Sequence, residues 1–290
     1  MPRSAEGSSG SASAGEAVGA GALRALVGRH GIRPSKALGQ HFLIDPNLAR
    51  AIVADAGVRR GDRVVEVGAG LGSLTVALAD AGAEVLAIEL DRALLPALEE
   101  TVAGRMGVRV LRADATALDW PATLDPQPWT LCANLPYGVA TSIVLEALAT
   151  APMVGRLVVM VQREVADRLA ARPGDPAYGI PSVRVAYRGT AKVVRSVPPE
   201  VFWPRPAVAS AIVRIDRLAE PAVTADEARL WRVVDAGFGH RRKTMRNAVR
   251  SLGLTLQEAD TLLRSCGVEP SARAERLGLR EFAAIAEALP

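Results

Sequence analysis

Short apolar segments alternate with amphipathic segments between residues 63 and 161. The apolar segments lack polar alternation, which is typical of strands that are buried on both faces of a sheet. The predicted strands are Arg63–Val67, Glu84–Glu89, Val108–Leu111, Thr130–Ala133 and Arg156–Val161. The predicted helices between them are Leu74–Ala81, Arg92–Ala103 and Thr141–Ala149. Strands that alternate with helices predict an α/β fold around a parallel sheet.

Two further apolar segments, Ala191–Ser196 and Ala209–Ile215, have the pattern of strands with no helix between them. The loop that joins them, Val197–Ala207, contains four prolines. We expect such a loop to be stiff and exposed to solvent, which suits a binding feature.

The pattern changes after Arg217. Thr224 and Thr255 are each followed three residues later by a glutamate, which predicts a capping box at the start of a helix. Gly267 is the predicted end of the second of these helices. We therefore predict a disordered, Ser/Gly/Ala-rich tail over residues 1–22, an α/β domain over residues 23–217 and a small all-helical domain over residues 218–290.

Composition excludes several classes of protein. Hydrophobic residues make up 49% of the chain and the formal net charge is +4, so the chain is not disordered throughout. Two cysteines, Cys132 and Cys266, are too few for a disulfide framework, and the three histidines form no HExxH pair, so we predict no bound metal. No apolar run approaches the ~20 residues of a membrane-spanning helix. A cytoplasmic protein is the simplest interpretation.

A glycine-rich loop, Glu66–Gly72, follows the first predicted strand and precedes a helix. Glycines at this place allow backbone N–H groups to approach a ligand closely. The dinucleotide-binding motif ends in Gly or Ala at its sixth position, where this chain has Ser73, so the spacing favours S-adenosylmethionine (SAM) over NAD. Glu89, at the end of the second strand, can accept hydrogen bonds from the ribose of either cofactor. Asp114, after the third strand, is placed to bind an adenine amino group.

The tetrapeptide Asn134-Leu135-Pro136-Tyr137 follows the fourth predicted strand. The exocyclic amine of adenine is a poor nucleophile because its lone pair is delocalised into the ring. Two acceptors, the Asn134 side-chain oxygen and the Leu135 carbonyl, would draw this nitrogen toward tetrahedral geometry and expose the lone pair. Tyr137 can stack on the base, which contributes about 1–3 kcal/mol in known sites. A turn asparagine beside a core tyrosine is the alternative for the tetrapeptide alone.

Together these motifs resemble the small-subunit ribosomal RNA adenine N6,N6-dimethyltransferases of the KsgA type. The resemblance extends from about Lys36 to Leu252. Its seven motifs are Leu38–Leu43, Glu66–Gly72, Ile88–Asp91, Asn134–Tyr137, Gln162–Val165, Val197–Pro199 with Phe202, and Arg241–Thr244. It implies a class I SAM-dependent methyltransferase fold, with a Rossmann-like, seven-stranded, mostly parallel sheet and a small helical C-terminal domain.

The resemblance also implies the roles of particular residues. The cofactor contacts would be His41, Leu43, Gly68, Gly70, Glu89, Asp114 and Asn134. The catalytic set would be Asn134, Leu135 and Tyr137, with the target adenine between Tyr137 and Phe202. The implied reaction is dimethylation of N6 of two adjacent adenines near the 3′ end of 16S rRNA, within the immature small ribosomal subunit and coupled to its late assembly. His41 departs from the family, which commonly has Asn at this position.

Basic residues cluster in two segments. Residues 239–250 contain five basic residues and no acid, and residues 184–214 contain six basic residues and one acid. Arg242, Arg246 and Arg250 have the spacing of one helical stripe. Clusters of this kind suit phosphate contacts, and we assign Arg241, Arg242, Lys243 and Arg246 to RNA binding. A solvated face in an arginine-rich chain is the alternative.

Other functions share parts of this pattern. A large-subunit rRNA adenine methyltransferase would have the same fold and site, although the Arg241–Thr244 motif and the helical C-terminal domain favour the small-subunit enzyme. A non-catalytic ribosome-assembly or transcription factor of the same fold is a second alternative, which the intact Asn134 and Tyr137 disfavour. A NAD-dependent oxidoreductase is a third alternative. It would need a proton-transfer residue near the fourth strand, and the sequence has none there. We expect a monomer with no membrane partner.

Overall fold

The computed structural model describes residues 19–35, 37–239 and 243–290. Its strands are β1 (Phe42–Leu43), β2 (Arg63–Val67), β3 (Glu84–Glu89), β4 (Val108–Arg112), β5 (Trp129–Asn134), β6 (Val154–Gln162), β7 (Gly189–Val197), β8 (Phe202–Trp203) and β9 (Ser210–Arg217). Its helices are α1 (Ala20–His30), α2 (Pro46–Ala56), α3 (Ser73–Asp80), α4 (Leu95–Val102), α5 (Trp120–Thr123), α6 (Ala140–Thr150), α7 (Arg163–Ala170), α8 (Ile180–Arg188), α9 (Glu227–Phe238), α10 (Met245–Arg250), α11 (Leu256–Ser265) and α12 (Leu279–Ala288).

Seven strands form one sheet in the order β4-β3-β2-β5-β6-β9-β7. The five strands from β4 to β6 are parallel to one another. Strand β9 pairs antiparallel with both β6 and β7. Helices cover both faces, so neighbouring residues such as Val64 and Val65 are both fully buried, on opposite sides of the sheet. This burial explains the uninterrupted apolar runs. The seven-stranded, mostly parallel Rossmann-like sheet is confirmed.

Strand order reverses between β2 and β5, which are adjacent in the parallel region. In open α/β sheets such a switch point opens a crevice beyond the carboxyl ends of the strands. The glycine-rich loop follows β2 and the Asn134–Tyr137 segment begins at the end of β5. The topology therefore brings the two sequence motifs to the same edge of the sheet.

The proline-rich loop between β7 and β9 differs from its prediction. Its middle forms β8, which pairs antiparallel with β1 so that Phe202 lies opposite Leu43. The Ile44 N–H donates to the Val201 carbonyl over 2.9 Å and extends this pairing. Phe202 is consequently only 3% exposed, and Pro206 is buried as well. The loop is therefore exposed only in part, because β1 pairs with its middle.

Two of the C-terminal helices, α9 and α11, begin at different kinds of cap. Thr255 and Glu258 form the predicted capping box, with Thr255 N donating to Glu258 Oε2 over 2.8 Å. The other predicted box, at Thr224, was wrong because α9 begins one residue after Asp226, which caps it. An aspartate at the N-cap satisfies the same free N–H groups without a box.

Helix α8 contributes to the apolar core of the C-terminal helices. Tyr178, Val183 and Tyr187 belong to that core, and the Tyr178 hydroxyl donates to the Leu277 carbonyl over 3.0 Å. The domain division at residue 217 stays a prediction. At the other end of the chain, α1 begins at Ala20, so residues 20–22 of the predicted tail are helical, while residues 1–18 lie outside the described residues.

Candidate active site

A cavity of about 510 Å³ opens at the carboxyl edge of the sheet. Its walls come from residues 37–43, 66–71, 88–90, 113–116 and 134–139. Every one of these segments except the first follows or ends a strand of the parallel region. Residues 37–43, which we call the strap, precede the sheet in sequence and cross the cavity edge before pairing with β8 as β1.

The glycine-rich loop has a backbone that only glycine adopts readily. Gly68, Gly70 and Gly72 have φ angles of +73°, +58° and +86°, all in the left-handed region. A Cβ atom on Gly70 would lie 3.1 Å from the Phe42 ring. A Cβ atom on Gly72 would lie 2.9 Å from a methyl carbon of Thr101. The loop therefore combines positive φ angles with close packing, as the glycine spacing predicts.

Glu89 binds this loop from the end of β3. Its Oε2 accepts a 2.7 Å hydrogen bond from Gly70 N, and its Oε1 accepts a 2.8 Å bond from Asp91 N. The side chain is buried, and this burial raises the pKa of Glu89 because desolvation disfavours the charged form. Each carboxylate oxygen keeps a second lone pair, so Glu89 can hold the loop and still accept a ligand hydroxyl.

Glu66 is a second buried acid, for which the sequence motifs predict no role. It is 2% exposed, lines the cavity, and accepts a 2.6 Å hydrogen bond from the Thr75 hydroxyl. Burial raises the pKa of Glu66 to about 8, against an ordinary value of 4.5. At neutral pH this group is mostly the neutral acid. An acidic residue inside an otherwise apolar strand was the available signal.

Asp114 remains a charged carboxylate. It follows β4, the edge strand of the parallel region. Its Oδ1 accepts hydrogen bonds from Thr116 Oγ1 at 2.7 Å and from Thr116 N at 2.9 Å. These bonds lower the pKa of Asp114. The residue is exposed and lines the cavity, so its carboxylate is an available acceptor for a bound polar group.

Asn134 is held in one orientation at the end of β5. Its Nδ2 donates a 3.0 Å hydrogen bond to the His41 carbonyl oxygen, and Leu135 N donates to the Met160 carbonyl over 3.0 Å. Within the described ranges, no protein donor bonds to Asn134 Oδ1 or to the Leu135 carbonyl. Both residues line the cavity. The structure thus brings together the two free acceptors that the sequence predicts.

Tyr137 and His41 pack against each other beside these acceptors. Their ring centroids are 5.2 Å apart with a tilt of 31°. The Tyr137 hydroxyl lies 2.8 Å from Ser210 Oγ, and burial raises the pKa of that hydroxyl. His41 Nδ1 donates to the Pro204 carbonyl over 2.6 Å. These contacts fix the Tyr137 ring by its hydroxyl and by the strap.

Phe202 is not part of the cavity wall. Its ring is buried and packs in the core that contains Leu43, Val197 and Ile212. The placement of the target adenine between Tyr137 and Phe202 stays a prediction. Leu43, which is also buried, does line the cavity.

The predicted RNA contacts are only partly described. Arg241 and Arg242 lie outside the described residues. Lys243 Nζ donates to Ser251 Oγ over 3.1 Å. Arg246 forms a two-point ion pair with Asp260, through Nε at 2.5 Å and a terminal nitrogen at 2.8 Å.

The predicted stripe of Arg242, Arg246 and Arg250 is described only in part, because Arg242 lies outside the described residues. Helix α10 begins at Met245, after a short pairing of Thr244 with Arg273, and carries Arg246 and Arg250. The spacing of charges could not reveal where this helix starts.

The part of the chain that is described lacks two other kinds of feature. No group of three or more His, Cys, Asp or Glu side chains there is arranged to hold a metal ion. No helix there combines the length and the apolar character that crossing a bilayer requires.

Known proteins resemble this chain over most of its length. A family model described as ribosomal RNA adenine dimethylase matches residues 32–289. A relative from Streptomyces avermitilis, named ribosomal RNA small subunit methyltransferase A, is 45% identical over 274 residues, 93% of each chain. A relative of the same name from Thermobifida fusca is 46% identical over 274 residues, 92% of this chain and 94% of its own.

Two solved structures have a similar fold. The 23S rRNA methyltransferase ErmE is 27% identical with a TM-score of 0.65, over 86% of this chain and 99% of its own. A dimethyladenosine transferase from Plasmodium falciparum is 23% identical with a TM-score of 0.72, over 84% and 96%. The fold, the paired acceptors and the family model agree, and the chain belongs to the ribosomal RNA adenine dimethylase family.

Proposed function

We propose that this chain is a SAM-dependent rRNA adenine N6,N6-dimethyltransferase that modifies two adjacent adenines near the 3′ end of 16S rRNA. The observation that carries this proposal is the pair of unoccupied acceptors, Asn134 Oδ1 and the Leu135 carbonyl, beside a glycine-lined cavity. Relatives named ribosomal RNA small subunit methyltransferase A, at about 45% identity, support the choice of RNA.

The cavity suits SAM in size and in chemistry. Its volume of about 510 Å³ is within the usual range for a small-molecule site. Gly68 and Gly70 line the cavity, and without a side chain their backbone would allow a ligand to lie close to the loop. Glu89 would accept the ribose hydroxyls and Asp114 the adenine amino group. His41 and Leu43 would complete the wall from the strap.

When bound, SAM supplies an electrophilic methyl group on a positively charged sulfur. The protein residues orient the amine that attacks this carbon. Asn134 Oδ1 and the Leu135 carbonyl would each accept one N–H of the target adenine, which localises the lone pair on nitrogen. Because His41 fixes the Asn134 amide before substrate arrives, little reorganisation is needed at the moment of reaction.

The same pair of acceptors accounts for two successive transfers. The amine of adenine has two N–H groups, and the monomethylated amine still has one. Either acceptor can hold that remaining N–H, so the second transfer needs no new residue. The methylated nitrogen can release its proton to water, and no general base is required. Catalysis would then consist mainly of orientation and electrostatic stabilisation.

Tyr137 would hold the target base by stacking. Its ring is already restrained by Ser210 and by the His41 ring, so little conformational entropy is lost when a base binds. The basic residues near the start of α10, among them Lys243 and Arg246, would contact RNA phosphates. We also propose that the protein is a cytoplasmic monomer that acts on immature small subunits during late assembly.

Labelled SAM would test this proposal with two RNA substrates. The protein is incubated with immature small subunits or with large-subunit RNA, and the modified bases are mapped. We expect label in two adjacent adenines of 16S rRNA. Asn134→Ala should abolish transfer and leave binding to the particle intact. Label in large-subunit RNA would instead support the alternative that the ErmE-like fold suggests. Unlabelled RNA with tight particle binding would support a non-catalytic factor.

A further inference from the structure

One side chain of the strap, Gln40, bonds both to Ser35 and to Asp91. Gln40, half-buried within residues 37–43, accepts a 2.7 Å hydrogen bond from Ser35 N at its Oε1. The backbone N–H of Gln40 donates to the Ser35 carbonyl over 3.2 Å. Two bonds in opposite directions between the same two residues close this turn of the chain. The Gln40 side chain therefore fixes where the strap begins.

The other end of the Gln40 amide contacts the loop after β3. Its Nε2 donates a 2.7 Å hydrogen bond to Asp91 Oδ2. The partners are 51 residues apart in sequence, and the bond is partly shielded from solvent. A hydrogen bond to a charged acceptor is stronger than one between neutral groups. Both the oxygen and the nitrogen of Gln40 are thus engaged by the protein itself.

Asp91 connects this contact to Glu89 and to the glycine-rich loop in the cavity wall. Its Oδ1 accepts from Ala93 N over 2.9 Å, which orders the carboxylate. Its backbone N–H donates to Glu89 Oε1, and Glu89 Oε2 accepts from Gly70 N. An unbroken series of hydrogen bonds therefore runs from the strap through Asp91 and Glu89 to the glycine-rich loop.

We infer that Gln40 is a positioning residue for SAM, an inference that rests on the proposed function. Gln40 joins the strap to Asp91. It thereby holds the cavity wall at residues 37–43 at a fixed distance from the Glu89 carboxylate and from the Gly70 N–H. It does so through other residues, because its own polar atoms are bonded to Ser35 and Asp91. A cavity with this connection intact is already shaped for the cofactor, and binding need not order it.

Single substitutions at either partner test the connection. Gln40→Glu keeps the acceptor for Ser35 N but places a carboxylate against Asp91. Asp91→Asn leaves two amides that cannot both satisfy their neighbours. We expect each to weaken SAM binding about tenfold, mainly through faster dissociation, which corresponds to about 1.4 kcal/mol. Calorimetry gives the affinity and stopped-flow displacement gives the dissociation rate. Gln257→Glu, an exposed position on α11, is the matched control and should bind as the wild type does.

The double variant Q40E/D91N separates positioning from a general loss of structure. The amide introduced at position 91 can donate to the carboxylate introduced at position 40, while its oxygen still accepts from Ala93 N. We expect SAM affinity to return to within about threefold of wild type, since coupled residues are not additive. Gln40→Met removes both side-chain bonds without adding charge and should weaken binding as Gln40→Glu does, which covers the case in which the added charge prevents folding.

The outcomes distinguish this inference from the proposed function. A wild-type protein that binds no SAM would overturn the proposed function itself. Wild-type binding that Gln40→Glu, Gln40→Met and Asp91→Asn leave unchanged would overturn the role of Gln40 alone. Weak binding that persists in Q40E/D91N would also overturn it, because the restored hydrogen bond would then have no effect on the cofactor.

Discussion

The side-chain nitrogen of Asn134 donates to the backbone carbonyl oxygen of His41 across 3.0 Å and 93 residues of sequence. This one bond has two consequences. It attaches the strap to the end of β5, and it leaves Asn134 Oδ1 as the end of the amide that has no donor among the described residues. A residue that closes the cavity is therefore also the residue that presents an acceptor to the amine.

Substitutions at Asn134 should affect both functions of the residue. Asn134→Ala removes the acceptor together with the bond to His41, and we expect weaker SAM binding and a fall in methyl transfer of about 100-fold or more, as when one preorganised polar group is lost from an active site. Asn134→Asp keeps an acceptor but turns a carboxylate oxygen toward the His41 carbonyl. We expect it to lose transfer and to weaken SAM binding as well. Single-turnover transfer and calorimetry measure the two effects, and an Asn134→Asp variant with normal SAM affinity would contradict the role of the His41 bond.

Tyr137 should act through its ring more than through its hydroxyl. Tyr137→Phe removes the contact with Ser210 Oγ and keeps the stacking surface, so we expect transfer within about threefold of wild type. Tyr137→Ala removes the ring, and a stacking contribution of about 1–3 kcal/mol corresponds to roughly a five- to 150-fold loss of kcat/KM. Ser210→Ala is the matched control for the hydroxyl. Equal losses in Tyr137→Phe and Tyr137→Ala would exclude stacking as the main contribution.

Local pattern was enough to predict the sheet and the glycine-rich loop. The bounds of Arg63–Val67 and Glu84–Glu89 are as predicted, because these strands are apolar on both faces and end at turn residues. The positive φ angles of the glycine-rich loop follow from residue type alone. Asn134 and Leu135 lie beside the glycine-rich loop because the carboxyl ends of parallel strands lie at one edge of the sheet.

Long-range pairing was beyond the reach of such patterns. A two-residue strand gives no periodicity, so the contact of Leu43 with Phe202 across the β1–β8 pair had no signal in the sequence. The hydrogen bond between Gln40 and Asp91 likewise had no signal, because each residue is visible in the sequence only as a member of its own motif. Asp260 lies on a different helix from Arg246, and a count of charges along one segment does not include it. Each of these contacts changes what a predicted site residue can do.

The buried Glu66 carboxyl should make stability depend on pH. Burial raises its folded-state pKa to about 8, while the unfolded chain has the ordinary value of 4.5. Between these values the folded protein binds the proton and the unfolded chain does not, so the free energy of unfolding falls as pH rises, by up to about 1.4 kcal/mol per pH unit. The contribution is fully present below pH 4.5 and lost above pH 8.

Glu66→Gln should remove this dependence. The amide oxygen can still accept from the Thr75 hydroxyl, and an amide has no charge to desolvate. We expect the variant to gain stability relative to wild type as pH rises toward 8, measured by urea unfolding at several pH values without ligand. Asp114→Asn, at an exposed carboxylate, is the control and should leave that slope unchanged. Parallel curves for wild type and Glu66→Gln would show that Glu66 is charged in the folded protein at neutral pH.

Arg246 should contribute less to RNA binding than its position in a basic segment suggests, because Asp260 already holds two of its three donor nitrogens. Asp260→Asn releases the guanidinium, and we expect tighter RNA binding at low salt and a steeper salt dependence, by about one unit of slope if the released charge meets one phosphate. Filter binding across a range of salt concentrations measures both quantities.

A second background decides whether this gain belongs to Arg246. In Arg246→Ala, the further change Asp260→Asn removes the same negative charge but releases no guanidinium. We expect the gain in affinity to be much smaller there, and thermal unfolding should show that the two substitutions are not additive. An equal gain in both backgrounds would mean that Asp260 repels RNA directly, and Arg246 would then be a structural partner on α10 with no phosphate of its own.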